Sequence, residues 1–138
     1  MGMSRLSSKL RRWVDPATGS EGLTYWCQGC QSAHSICTKG AGAWGWNGDV
    51  ERPVFTPSVL STQGHYVSWW KPENGCACDY EREHPEEDHT GMRCGRCHTF
   101  VGCNGAQPGE VIFLADCTHA LAGTVQPFPD LPEWMSWA

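Results

Sequence analysis

The sequence of 138 residues lacks any apolar run near the roughly 18 residues that a membrane-spanning helix needs. Its amino terminus is basic but has no apolar stretch of the kind found in secretory signal peptides. Charged residues are scarce at 18%, and the formal net charge is −5. An acidic chain without a basic face is a poor candidate for binding nucleic acid. These absences predict a cytoplasmic protein (bacterial host cytoplasm if a phage encodes it) with neither membrane nor nucleic acid as a partner.

Several common catalytic motifs are also missing. The sequence contains no P-loop, no G-x-S-x-G nucleophile elbow and no H-E-x-x-H zinc motif. The zinc deaminase signature is half present, because Arg93 stands where the proline before Cys94 should be. Motifs alone therefore assign none of these enzyme classes.

Glycine and proline are plentiful, with 16 and 9 residues, and favour turns over long helices. Apolar patterning predicts strands at 7–14, 23–27 and 33–38, and a hairpin of strands 98–103 and 111–116. For the first stretch a short helix is an equal alternative, because Leu6, Leu10, Trp13 and Val14 could line one of its faces. Residues 118–122 are expected to begin a helical turn that ends at Gly123. We therefore expect a single domain over 1–138 with an α+β fold, short antiparallel strands, long loops and little helix. Residues 71–93 are acidic and aperiodic, and are predicted to form an insertion loop.

Nine cysteines and six histidines are the most informative feature. The cysteine count is odd and the cysteines alternate with histidines at ligand spacings, which favours metal over disulfides. Cys27 and Cys30 form one C-x-x-C turn, and Cys94 and Cys97 form a second. Joined, these four thiolates would make a closed structural zinc site.

A second assembly leaves one zinc position open. It combines a thiolate from the first turn with His98 and His119, which is a pattern of catalytic Zn²⁺ sites. The zinc-bound water then needs a carboxylate base, for which Glu51 and Asp49 are the candidates. If the hairpin is symmetric, His98 lies opposite Asp116, which would orient a ligating histidine. The spacing does not choose between the two assemblies.

Other potential ligands are less decisive. His34 follows Cys30 at a suitable spacing, but an exposed strand histidine explains it equally well. Cys37 and Cys103 are interpreted as small buried residues. A second, structural zinc is predicted in the acidic insertion, held by members of a group comprising Cys76, Cys78, His84, His89 and Cys94.

Five motifs resemble those of a family of small phage and prophage proteins. They are YWCQGC (25–30), WNGD (46–49), FTPS (55–58), RCHTF (96–100) and DCTHALAG (116–123). Members of this family were long of unknown function, and some carry an ammonia monooxygenase label. Relatives accompany bacterial ubiquitin-like conjugation operons, where they are described as Cys-Glu-His-His metallopeptidases.

The resemblance implies that Cys27 or Cys30, Glu51, His98 and His119 form a peptidase site. The function expected from it is zinc-dependent hydrolysis of a peptide or isopeptide bond. The substrate would be a protein or peptide, with removal of ubiquitin-like modifiers as a phage counter-defence. The alternatives are a zinc module without catalytic activity that binds a host or virion protein, and a structural component of the virion.

Overall fold

The computed structural model describes residues 2–63, 84, 86 and 95–136. These residues form nine strands in two antiparallel sheets and one short helix. In the first sheet the strands lie in chain order: β1 (Gly2–Arg5), β2 (Arg11–Val14), β3 (Glu21–Cys27) and β4 (Ser32–Lys39). The second sheet is also in chain order: β5 (Gly45–Trp46), β6 (Phe55–Gln63), β7 (Gly95–Val101), β8 (Glu110–Phe113) and β9 (Val125–Pro127).

The expectation of an α+β fold is wrong, because the described chain is almost entirely antiparallel β. Residues 118–122 do not grow into a helix: the amide of Ala122 donates to His119 O at 3.2 Å and Gly123, at φ 77°, ends the turn. The helix α1 (Glu133–Ser136) lies instead in a tail predicted to be extended. None of the helical structure in the described part of the chain has the length and apolarity to span a membrane.

Several strand predictions are confirmed with small shifts. The stretches 23–27 and 33–38 correspond to β3 and β4, which pair as a hairpin around residues 28–31. The predicted strand 7–14 is shortened to β2, because the amides of Leu6 and Ser7 both donate to Leu10 O and turn the chain back to β1. Leu10 itself is fully buried, so the apolar residue that suggested a longer strand belongs to the core.

Side chains of both sheets meet in one hydrophobic core. Tyr25 of β3 contacts the rings of Phe55 of β6 and Phe128, each with centroids 5.5 Å apart. Cys27 at the end of β3 and Cys97 of β7 extend this contact to the edge of the core, and both are buried. The first cysteine turn is thereby brought against β7.

The strand β7 alternates between two faces. Cys97, Thr99 and Val101 are buried, whereas Arg96, His98 and Phe100 lie on the outer face of the second sheet, as the two-residue period of a strand dictates.

The partner strand β6 is irregular opposite this part of β7: Phe55 pairs with Val101 and Val59 with Thr99. Residues 56–58 therefore bulge opposite Phe100. Such bulges change the direction in which a side chain points.

Candidate functional site

Three polar side chains form a chain of contacts on the outer face of the second sheet. Ser58 Oγ lies 3.0 Å from His98 Nε2, and His98 Nδ1 lies 3.2 Å from Asp116 Oδ2. Ser58 comes from the bulge of β6, His98 from β7 and Asp116 from the turn after β8. The order hydroxyl, imidazole, carboxylate is that of a serine nucleophile, its base and the group that orients the base.

The hydrogen-bond partners define the imidazole tautomer that this arrangement uses. An ionised Asp116 carboxylate can only accept, so His98 Nδ1 carries the proton. His98 Nε2 then has a free lone pair and accepts from the Ser58 hydroxyl. This is the tautomer that a general base for Ser58 needs. The side chains of His98 and Asp116 are 27% and 43% exposed, so a substrate can reach them from solvent.

Asp116 reaches His98 by a different route from the one that the symmetric hairpin predicts. Thr99 pairs with Phe113, and the amide of Leu114 donates to His98 O at 2.9 Å. Asp116 is thus displaced by two residues from the position opposite His98. The chain then continues along β7, where the amide of Thr118 donates to Arg96 O at 2.9 Å. This continuation holds Asp116 beside the imidazole.

A second group of chemically active side chains lies on the inner side of β7. One potential ligand atom from each of Cys27, Cys30, His34 and Cys97 lies within 4.8 Å of all the others. The sulfurs of Cys27 and Cys97 are 3.7 Å apart, far longer than a disulfide bond of about 2.05 Å. Two sulfurs bound at about 2.3 Å to one tetrahedral zinc would lie about 3.8 Å apart. All six cysteines in the described residues are free.

The electrostatics of the three sulfurs favour a bound cation. Hydrogen bonds from the thiols of Cys30 and Cys97 lower the pKa of Cys27. The same contact with Cys27 raises the pKa of Cys30 to about 12 and raises the pKa of Cys97. Like charges this close repel, so three thiolates are unfavourable here unless a cation lies between them. A divalent metal would remove that repulsion and replace the thiol protons.

Two histidines border this group, and their contacts distinguish them. His34 Nε2 is buried and has no hydrogen-bond partner in the described residues, as expected for an atom left to bind a metal. His119 Nδ1 accepts from the amide of Leu121 at 3.2 Å, so in the neutral ring Nε2 carries the proton. His119 Nε2 lies 3.5 Å from Cys97 Sγ and is placed to donate to it. The donor set Cys27, Cys30, Cys97 and His34 thus fits a tetrahedral zinc, with His119 supporting it from outside.

A cavity of about 410 Å³ opens beside the cysteine group. Its lining, among the described residues, contains Cys30, His34, Arg96 and His119 but no aspartate or glutamate. The two potential metal-ligand groups likewise contain no carboxylate and do not include His98. In the described part of the chain, therefore, no carboxylate lies where it could act as a base for a water bound to a metal in this group.

The two predicted carboxylate bases lie on a surface loop. Asp49 Oδ1 accepts from the amides of Glu51 and Arg52 at 2.8 and 2.9 Å, which lowers the pKa of Asp49. Its role in the structure is to hold the turn that leads into β6. Glu51 is exposed and belongs to neither metal-ligand group. Cys76, Cys78 and Cys94, and with them the predicted second zinc, lie outside the described residues.

Ser58 was not among the residues singled out for catalysis. It has no G-x-S-x-G context, and a serine between a proline and a valine carries no chemical signature of its own. The structural cue was Pro57, because a proline within a strand marks an edge or a bulge. Trp44, which with Trp46 is a sequence candidate for a wall of the substrate groove, is a further neighbour: its Nε1 donates to Ser58 O at 3.1 Å.

Comparison with known families finds one match. The family model described as "Bacterial ubiquitination-like system serine protease (BubE)" matches residues 4–108, which include Ser58 and His98 but not Asp116. The curated proteins and the solved structures offer no match. The predicted link to a bacterial ubiquitin-like system is confirmed. The description names a serine protease, where the resemblance implied a Cys-Glu-His-His metallopeptidase.

Proposed function

The chain belongs to the BubE family of proteases of bacterial ubiquitination-like systems, and from this premise we propose that Ser58, His98 and Asp116 are its catalytic triad. The observation that carries the proposal is the pair of contacts at His98, 3.0 Å to Ser58 Oγ and 3.2 Å to Asp116 Oδ2. A nucleophile within hydrogen-bond reach of a base, which a third group orients, is the arrangement that serine proteases require.

The triad cleaves an amide bond in two steps. Ser58 Oγ attacks the scissile carbonyl carbon while His98 Nε2 accepts the hydroxyl proton, and Asp116 stabilises the imidazolium that results. The carbon–nitrogen bond then breaks as His98 returns the proton to the leaving amine, which leaves an ester on Ser58. Water attacks that ester with His98 again as base, releases the carboxylic acid and restores the serine.

The proposed substrate is a protein or peptide carrying a ubiquitin-like modifier, cleaved at its peptide or isopeptide bond. The family description supports this class, since it places the family in a ubiquitination-like system. The two outer-face side chains His98 and Asp116 are accessible enough for a folded protein substrate. Removal of such modifiers as a phage counter-defence stays a prediction.

The metal has a structural part in this proposal. One Zn²⁺ would be held by Cys27, Cys30, Cys97 and His34 and would join the end of β3 to β7. When bound, it would cross-link the two sheets and take no part in bond cleavage. Support comes from the 3.7 Å spacing of two sulfurs and from the unpaired Nε2 of His34. The competing proposal, in which Glu51 serves a catalytic zinc held by His98 and His119, requires His98 to leave Ser58 and Asp116.

The test compares Ser58→Ala with Glu51→Gln and a control, Ser8→Ala. Ser8 is a surface serine whose Oγ contacts Asp130 at 2.9 Å. We expect Ser58→Ala to lower kcat on a ubiquitin-like conjugate by on the order of 10⁴-fold or more. The other two variants should keep wild-type kcat. A fluorophosphonate probe should label the wild type on the peptide that contains Ser58, as mass spectrometry would show.

Other outcomes identify the alternatives. If Ser58→Ala still cleaves while Glu51→Gln keeps its metal and loses cleavage, the protein is a metallopeptidase. If the wild type neither reacts with the probe nor cleaves any conjugate, the protease proposal fails and the two alternatives without catalytic activity remain. Metal analysis of all four proteins accompanies the assay, so that a loss of zinc is not mistaken for a loss of chemistry.

A further inference from the structure

Cys117 directly follows Asp116 in the chain and is buried, with 8% of its surface exposed. Its sulfur contacts both polar backbone groups of His98. The amide of His98 lies 3.3 Å from Cys117 Sγ, and Cys117 Sγ lies 3.3 Å from His98 O. One side chain therefore holds the backbone of His98 on both sides of its Cα.

The two contacts differ in their hydrogen-bond direction. The His98 amide donates, so the sulfur accepts from it, and a thiol or a thiolate can do this. A carbonyl oxygen has no proton, however, so the contact with His98 O is favourable only if the sulfur donates. A metal-bound thiolate cannot donate and would repel the carbonyl oxygen. The pair of contacts therefore suits a side chain that both accepts and donates at the His98 backbone.

Cys117 also belongs to a potential metal-ligand group with Cys97 and His119. Cys97, however, is a member of the other group as well, where three further ligand atoms bring the number to the four that zinc takes, without Cys117. His119 directs its protonated Nε2 at Cys97 and so does not act as a ligand in this tautomer. Apart from Cys97, the second group thus adds no ligand that the metal needs.

We propose that Cys117 is a positioning residue for the base His98 and not a ligand of the metal. The inference rests on the proposed triad. By fixing the His98 backbone and immediately following Asp116, Cys117 sets the imidazole at the distance from Ser58 that proton transfer needs. Although Cys117 lies near Cys97 and His119, its sulfur belongs to the protease site.

Three substitutions separate hydrogen bonding from packing. Cys117→Ser keeps a donor and an acceptor, Cys117→Ala leaves a void and Cys117→Val overfills the site without either polar function. We expect Ala and Val to lower kcat about three- to tenfold at unchanged KM, because the base loses its backbone support. Ser should restore kcat to within about twofold of the wild type. Ala underfills the site and Val overfills it, but both lack the hydrogen bonds of the sulfur. A similar loss in kcat in both variants is therefore due to the missing hydrogen bonds.

The metal readout does not depend on activity. Each variant is loaded with Co²⁺, and the sulfur-to-cobalt charge-transfer absorbance and the metal stoichiometry are compared with the wild type. Both should be unchanged. A weaker charge-transfer band in Cys117→Ser overturns the proposal, since serine does not replace a thiolate ligand, and this holds even if Ala and Val fail to fold. Wild-type kcat in Ala or Val also overturns it. Cleavage by Ser58→Ala would instead defeat the proposed function.

Discussion

The two faces of β7 differ although the residues on them are neighbours in the chain. Cys97, on the inner face, meets the first cysteine turn in a group of sulfurs and a buried imidazole. His98, on the outer face, meets a serine and a carboxylate that are open to solvent. The inner group has the softness and geometry of a zinc site, whereas the outer group has the order of a proton relay. In the proposed function, one strand thus carries a structural metal site and a catalytic site one residue apart.

The difference follows from the strand period. Successive side chains of a strand point to opposite faces, so neighbours in sequence are separated by the thickness of the sheet. A Cys-His pair in a strand therefore cannot place both side chains on one ion as the same pair in a turn can. The two sites are nevertheless linked through the backbone, because Cys97 and His98 are joined by one peptide bond.

The largest expected effects come from Cys97→Ser and His98→Ala. The first alters only the group on the inner face of β7, and the second alters only the group on the outer face. His98→Ala should lower kcat by on the order of 10⁴-fold, with zinc retained and a Tm change of no more than about 4 °C. Cys97→Ser removes a ligand, so zinc should be lost and the free energy of unfolding should fall by about 3 kcal/mol or more. Kinetics, metal analysis and calorimetry on both proteins measure this contrast. Loss of zinc from His98→Ala would indicate that His98 is a metal ligand. It would contradict the proposal that the metal site and the catalytic site lie on opposite faces of β7.

An intermediate effect is expected at Gly29, which lies in the turn between the first two cysteines. A Cβ at this position would collide with the His119 ring, whose other side packs edge-on against Phe113 at 5.0 Å. Gly29→Ala should displace His119, remove its contact with Cys97 and weaken zinc affinity by about tenfold. Competition with a chromogenic chelator measures that affinity.

The matched control is a double-mutant cycle. In a His119→Ala background the ring is absent, so adding Gly29→Ala should cost little further zinc affinity. If the two substitutions instead lower zinc affinity additively, they do not act through a contact between residues 29 and 119. The effect of Gly29→Ala would then come from the cysteine turn itself.

Sequence reasoning predicted the strands better than the fold class. Apolar runs identified β3, β4 and the hairpin of β7 and β8, because a half-buried strand leaves a local pattern. The α component was wrong because the turn at 118–122 is closed by the positive φ of Gly123, and a single turn of this kind resembles a helix start. The short strands β1 and β5 have too few residues to leave a pattern.

For the candidate site, the chemically distinctive residues stand out in the sequence, whereas the groups that they form in the structure do not. The cysteine turn at 27–30 and Cys97 carry their own signal in spacing and side-chain type. Ser58 depends on a bulge in β6 that sets its direction, and no local pattern encodes which strand it will face. The sequence hypothesis placed His98 in one zinc site with the first cysteine turn and His119, because spacing along the chain does not show on which face of a sheet a side chain lies.

The smallest expected effect tests whether the outer face can be altered without disturbing the inner one. Trp44 Nε1 donates to the carbonyl oxygen of Ser58 at 3.1 Å, whereas Trp46 Nε1 contacts Asp49 O on the neighbouring loop at 3.4 Å. Trp44→Phe keeps the ring and removes the donor, so kcat should fall about two- to fivefold, the value of one modest hydrogen bond. Trp46→Phe, the matched control, should leave kcat unchanged, and zinc content should be unaltered in both. Equal effects of the two substitutions would mean that the loop, rather than the contact with the Ser58 backbone, supports the nucleophile.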